Sequence, residues 1–211
     1  MGELEKLIKG FKHFRKRYYE EDPEFYKQLT YQGQSPKILV IACCDSRVHP
    51  AQVMNTDPGD IFVIRNVANV VPPCEDDGKS HGTSAALEYA VKHLGVKRII
   101  VFGHSFCGGI KSLMEGEHHE QDYGFIDPWM SVVEPAREKI LKTLFNESFE
   151  DQCRACEREV ISISLQNLMT FPWVKDRVEK GDLSLHGWYF DIEEGNLYVH
   201  DGSENAFNLM V

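Results

Sequence analysis

Apolar residues along the chain follow two rhythms. Over residues 3–29, a stretch dense in charge, Leu4, Leu7, Ile8, Phe11, Phe14 and Tyr18 recur at helical spacing. The Asp22-Pro23 step interrupts that rhythm, and a second short helix then takes Phe25, Tyr26 and Leu29. The resulting stripe needs cover, either from its own domain or from a neighbouring subunit. Beyond residue 34 the pattern changes to short unbroken aliphatic runs, Ile38–Ile41, Ile61–Ile64 and Arg98–Phe102, which read as buried strands. Helical stretches alternate with them. Thr83–Leu94 places Ala86, Leu87, Ala90, Val91 and Leu94 on one face, with Gly95 as its C-cap. Gly108-Gly109 opens a helix to Met114, followed by a polar loop, Glu115–Tyr123. Asp127-Pro128 caps a helix towards Phe145, another runs Glu150–Met169, and Pro172 starts a short one ending at Gly181. Leu183–Ile192 returns to strand, and a turn at Glu194-Gly195-Asn196 leads to Leu197–Val199. The alternation predicts an α/β fold: a mostly parallel sheet flanked by helices, its edge extended by the last strands. The organisation expected is an N-terminal helical arm, 1–33, on a single α/β domain, 34–211.

Composition narrows the class. A chain of 211 residues with a formal charge of −10 suits one domain, and that charge disfavours nucleic acid or an anionic membrane surface as partner. There is no apolar run of membrane-spanning length and no secretory signal pattern, so a cytoplasmic protein is expected. Six cysteines in a chain of this size do not suggest a disulfide scaffold; metal-binding or free reduced thiols are the expectation.

The chemistry gathers at two strand ends. The run Ile38–Ile41 leads into Cys43-Cys44-Asp45-Ser46-Arg47, and Arg98–Phe102 leads into Gly103-His104-Ser105-Phe106-Cys107. In open α/β sheets ligands collect beyond the carboxyl ends of strands, so Cys43, His104 and Cys107 would meet at one point. Two thiolates and an imidazole form a zinc donor set with a fourth place left. Asp45 paired with Arg47 stays ionised and fixed in orientation, able to orient a zinc-bound water or to bind the metal itself. Cys44 points the other way along an extended chain and reads as a core thiol. Cys153-x-x-Cys156 lies in a charged helical pattern with no preceding strand, so inert helix thiols are expected rather than a redox pair.

With these residues in hand, the chain resembles the β-class carbonic anhydrases. Cys43-x-Asp45-x-Arg47 followed by His104-x-x-Cys107-Gly-Gly carries the likeness, and Pro58-Gly59, Arg65–Asn69, Glu88–Val91 and Leu183–Trp188 extend it. Within that family it is similar to the plant-like subtype, whose Gln upstream of the first zinc cysteine corresponds to Gln34. The resemblance implies one Zn2+ per chain, and reversible hydration of carbon dioxide by attack of zinc-bound hydroxide. It assigns catalytic roles to Asp45 and Arg47, and a substrate pocket to Phe62, Val67, Tyr89, Gly108 and Gln34. It also implies a homodimer, or a tetramer or larger assembly, with shared active sites, in which Gln34, Phe62 and Tyr89 face the partner's metal. Val40 and Phe190 stand where the bicarbonate-inhibited subtype has Trp and Tyr, so its regulatory pocket is not expected and the fourth zinc position should be open. His93, one turn after Tyr89, is a candidate proton shuttle because histidine titrates near neutrality; an ordinary exposed histidine is the alternative. Rival readings are hydrolysis of carbon disulfide or carbonyl sulfide, an inactive zinc-stabilised module, and a thiol redox protein.

Overall fold

A computed structural model describes residues 2–116, 124–202 and 206–211. His118, His119 and most of the loop expected over 115–123 lie outside the described residues. The chain divides into two units, Met1–Ser35 and Pro36–Val211.

In the first unit α1 (Glu3–Arg15) runs through a π-helical turn, Lys16–Glu21, and breaks before α2 (Pro23–Gln32). The break is where the sequence predicts it. The Asp22 carboxylate accepts the Phe25 N–H at 3.3 Å, and Pro23 takes the first turn, where it has no N–H to lose. Rings fill the bend: Phe14 lies 5.0 Å from Tyr18, and Tyr19 stacks on Tyr26 at 4.9 Å. Leu4, Leu7, Ile8 and Phe11 remain exposed.

The second unit is one sheet in the order β2-β1-β3-β4-β5-β6. The strands are β1 (Ile38–Cys43), β2 (Ile61–Asn66), β3 (Arg98–His104), β4 (Ser184–Phe190), β5 (Leu197–His200) and β6 (Phe207–Leu209). β1 to β4 are mutually parallel, while β5 and β6 add antiparallel strands at one edge. Alternation along β1 and β3 separates the two faces. Leu39, Ile41, Ile99 and Val101 pack with Leu87, Ala90, Ile161 and Val174, whereas Val40, Ala42, Ile100 and Phe102 belong to the opposite face. Leu39–Ala42 and Ile99–Phe102 are apolar because both runs are buried on both sides, as central parallel strands are.

The described helices of this unit are α3 (Pro50–Val53), α4 (Gly82–Glu88), α5 (Gly108–Glu115), α6 (Ile126–Met130), α7 (Glu134–Thr143), α8 (Phe149–Leu168) and α9 (Pro172–Glu179). α4 continues as a π-helical turn over Tyr89–His93. One expectation fails: no single helix runs from Asp127 to Phe145. Asp127 lies inside α6, and a 3-10 turn, Ser131–Val133, separates it from α7. Pro135 is the reason, since it lacks an N–H and is tolerated only in the first turn, where it stands. β6 was not visible in the sequence pattern. Among the described residues no helix is long and apolar enough to cross a membrane.

Candidate metal centre

β1 and β3 are neighbours, and Cys43 and His104 are their last residues. The chain after His104 turns back at once, so that Cys107 caps the N-terminus of α5 and its carbonyl accepts the Lys111 N–H at 2.9 Å. This topology converges the predicted donors. The sulfurs of Cys43 and Cys107 lie 3.9 Å apart, and a ring nitrogen of His104 is within 4.8 Å of both. Two sulfurs bound at about 2.3 Å to a tetrahedral zinc stand about 3.8 Å from each other. All three residues are buried.

The histidine supplies the strongest test of fit. Nδ1 lies 2.8 Å from the Ser105 carbonyl, an acceptor only, so Nδ1 carries the hydrogen and Nε2 presents a lone pair. That Nε2 is buried and has no hydrogen-bond partner among the described residues. A buried acceptor left unpaired costs about 1–3 kcal/mol, and a metal ion relieves it. The three donors are coupled electrostatically. Pairing with the Cys107 thiol, and His104 beside it, push the Cys43 pKa well down against the opposing effect of burial. Cys107 is raised by the same pairing and by burial. Burial works against a charged His104, but its contact with Cys43 prevails and raises its pKa. Two soft donors and a correctly poised imidazole fit zinc.

Asp45 and Arg47 form a forked pair beside the donors. Asp45 Oδ1 accepts the Arg47 backbone N–H and Nε, each at 2.9 Å, and Oδ2 accepts Nη2 at 2.7 Å. The Arg47 side chain holds the Asp45 carboxyl far below the usual carboxylate range, although burial opposes this. Asp45 does not belong to the group of mutually close donor atoms. Its own N–H points to Cys43 Sγ at 3.4 Å. Sequence reasoning gave no role to three further groups here. Arg65 donates Nε to the Cys43 carbonyl at 2.9 Å and Nη2 to the Asp45 carbonyl at 2.7 Å. The Phe106 carbonyl accepts Arg47 Nη2 at 2.9 Å, and Glu157 accepts the Cys107 N–H at 3.0 Å. Glu157 left one trace in the sequence: it falls on the stripe Cys153, Cys156, Val160, Ile161 that faces the core.

The expected substrate residues fall into two places. Val67 follows β2 and packs where a Cβ on Gly109 would come within 2.8 Å of its Cγ1; the Trp129 indole holds its carbonyl at 2.9 Å. Gly108 faces open space at the start of α5. Phe62 and Tyr89, by contrast, form a patch of their own, ring centroids 6.0 Å apart, with His93 stacked on Tyr89 at 5.3 Å. Phe62 pairs with Leu39 while Asn66 pairs with Cys43, so this patch is set back about 13 Å along the strands, at about 3.3 Å per residue. Gln34 belongs to the first unit and is exposed. Cys44 contradicts the sequence reading. It is exposed, because the strand ends at Cys43 and the chain leaves the sheet with the Cys44 N–H on the Asn66 carbonyl at 2.8 Å. Cys153 and Cys156 are buried on α8, with Cys156 pushed up to about 12 by burial, then by the neighbouring Cys153 and Glu157. Val40 is fully buried, and Phe190 stacks on Phe102 at 6.2 Å.

A mostly parallel sheet that brings two cysteines and a histidine to one point, with a locked carboxylate beside them, defines an α/β domain with a candidate metal centre. Comparison with known proteins gives its family. A family model described as "Carbonic anhydrase" matches residues 38–197. Beta carbonic anhydrase 3 of Arabidopsis thaliana is 42% identical over 194 residues, 91% of this chain and 74% of its own length. Among solved structures, the β-carbonic anhydrase CcaA superposes with a TM-score of 0.91 at 36% identity, over 99% of this chain and 100% of that one. A tetrameric β-carbonic anhydrase of Sordaria macrospora superposes with a TM-score of 0.82 at 28% identity, over 94% and 96% of the two chains. The chain belongs to the β-class carbonic anhydrases, and its likeness to the Arabidopsis protein agrees with the plant-like subtype.

Proposed function

We propose that the protein interconverts carbon dioxide and bicarbonate, with one zinc ion per chain held by Cys43, His104 and Cys107. The observation that carries the reading is the Asp45–Arg47 fork beside the donor trio, since a zinc serving structure alone needs no such pair. Zinc bound there supplies Lewis acidity, which brings the ionisation of a water towards neutral pH. The protein's own groups do the rest. Asp45, ionised and fixed, accepts a hydrogen bond from the attacking oxygen and so aims its lone pair at the carbon. Because Arg47 engages both carboxylate oxygens, Asp45 is drawn away from the donor trio, and this favours an open fourth position.

Val67 and Gly108 border the reacting space in the same chain. Phe62, Tyr89 and Gln34 serve the partner subunit's centre, a reading supported by the set-back Phe62–Tyr89 patch and by the exposure of Tyr89 and Gln34. Those rings keep water away from an apolar substrate, and the Gln34 amide donates to oxygen charge that develops on it. His93, exposed and stacked on Tyr89, takes the released proton outwards. The working unit is therefore a dimer, and the tetrameric relative of Sordaria macrospora supports assembly to that size or beyond. Stopped-flow carbon dioxide hydration on protein of measured zinc content tests the reaction, and rapid turnover is expected. A zinc-replete protein that leaves the uncatalysed rate unchanged would refute it. An isolated monomer with full activity would refute the shared site.

A further inference from the structure

Both segments that carry the donors are tied from behind by a charged side chain. For the Cys43 segment the tie is Arg65, on two carbonyls. For the Cys107 segment it is a carboxylate. Glu157 on α8 is only 3% exposed, and among the described residues its hydrogen bonds go to the metal loop or to groups that brace it. Oε1 accepts the Cys107 N–H at 3.0 Å and Arg154 Nη1 at 2.5 Å, while Oε2 accepts the Tyr189 hydroxyl at 2.8 Å. Arg154 also lays its guanidinium 3.7 Å from the centroid of the Phe106 ring. Phe106 itself stands at φ 57°, a conformation that costs a bulky residue about 1–3 kcal/mol. In that conformation its carbonyl receives Arg47.

Packing alone does not account for this arrangement. A buried carboxylate loses several kcal/mol of hydration, and an apolar residue would fill the same helix position without that loss. Nor does close packing hold the loop, since a cavity of about 270 Å3 lined by Phe106, Cys107, Cys153, Arg154 and Glu157 adjoins it. We propose that Glu157 is a positioning residue of the metal centre: it fixes the Cys107 amide directly, and through Arg154 it holds Phe106 in the strained turn that supports Arg47 and Asp45. The first half of this concerns the donor set alone; the second half rests on the catalytic reading of Asp45 and Arg47.

The test is zinc release into an excess of a chromophoric chelator, together with the thiolate-to-cobalt absorption of cobalt-loaded protein. Neither needs the protein to hydrate carbon dioxide. Loss of groups that orient metal ligands typically weakens metal binding about 10–100-fold. Glu157→Gln, nearly isosteric, should release zinc faster by about that factor and shift the cobalt bands. Glu159→Gln, on the same helix but paired with Lys139, should do neither. Arg154→Ala keeps the carboxylate on the Cys107 amide but removes the contact beneath Phe106. It should lower turnover more than it accelerates zinc release. Wild-type release and an unchanged cobalt spectrum in Glu157→Gln would overturn the direct tie. Unchanged turnover and spectrum in Arg154→Ala would overturn the relay, and these two measurements decide the relay even if Glu157→Gln fails to fold. A wild-type protein that binds zinc yet does not hydrate carbon dioxide would sink the catalytic reading and leave the direct tie to stand or fall on zinc release.

Discussion

Replacing Arg47 by Ala isolates what the fork contributes. The substitution removes Nε and Nη2 from Asp45 and Nη2 from the Phe106 carbonyl, but keeps the backbone N–H on Asp45 Oδ1. A hydrogen bond to a charged group nets about 1.5–3 kcal/mol. The Arg47 side chain is 52% exposed, against 16% for Asp45, so solvent screening reduces that figure. We take about 1–3 kcal/mol for the loss of Asp45 orientation, which corresponds to roughly 5–160-fold in turnover. Global stability should change by no more than about 1 kcal/mol, as for other partly exposed pairs. Freed from the fork, Asp45 can swing towards the metal and close the fourth position. The assay is stopped-flow hydration at neutral pH with zinc measured on the same sample, and Arg47→Lys in parallel. Lysine cannot reproduce the planar fork, so it should behave more like Ala than like the parent. Wild-type turnover from zinc-replete Arg47→Ala protein would refute the orienting role.

Cys43→Ser replaces a soft donor whose low pKa favours the thiolate, so it should lose most bound zinc on dialysis and activity with it, by elemental analysis and assay. A zinc-replete, fully active Cys43→Ser protein would end the ligand assignment. Gly103→Ala should destabilise the fold by about 1–3 kcal/mol in urea titrations, because its Cβ would lie 2.7 Å from Ile161 Cδ1. Adding Ile161→Val, which removes that atom, should restore part of the loss. Burial holds the Cys156 thiol protonated up to about 12. An unfolded cysteine ionises near pH 8.5, so above that the unfolded state binds fewer protons than the folded one. Stability then falls by about 1.4 kcal/mol per pH unit until the folded thiol ionises. Cys156→Ala should show a shallower loss between about pH 9 and 11; parallel curves would refute the assignment.

The donor trio was legible because it needs only two facts, a buried run before each motif and a turn after it. β1 and β3 announced themselves as aliphatic runs, and Ser148 capped α8 within two residues of the expected start. What escaped was whatever depends on distant partners. β6 is three residues long and takes its identity from pairing with β5, so no local period marks it. Cys44 departs from the alternation because the strand stops at Cys43, one residue before it. The apolar rhythm of 127–145 runs on across Pro135, where proline forces a new helix start. The ties of Arg65 and Glu157 link residues far apart in sequence, and no spacing rule reaches them.

The central position of β1 and β3 has a consequence for how the protein breathes. Their amides sit in the middle of the sheet, bonded on both sides and among fully buried residues. Such amides exchange with solvent only when the whole domain opens. Cys43 and His104 are covalent extensions of that slowest-exchanging layer. Cys107 is not, since it hangs on the short return from β3 to α5. The donor set therefore joins two residues rooted in that layer to one whose amide is held across the turn by Glu157.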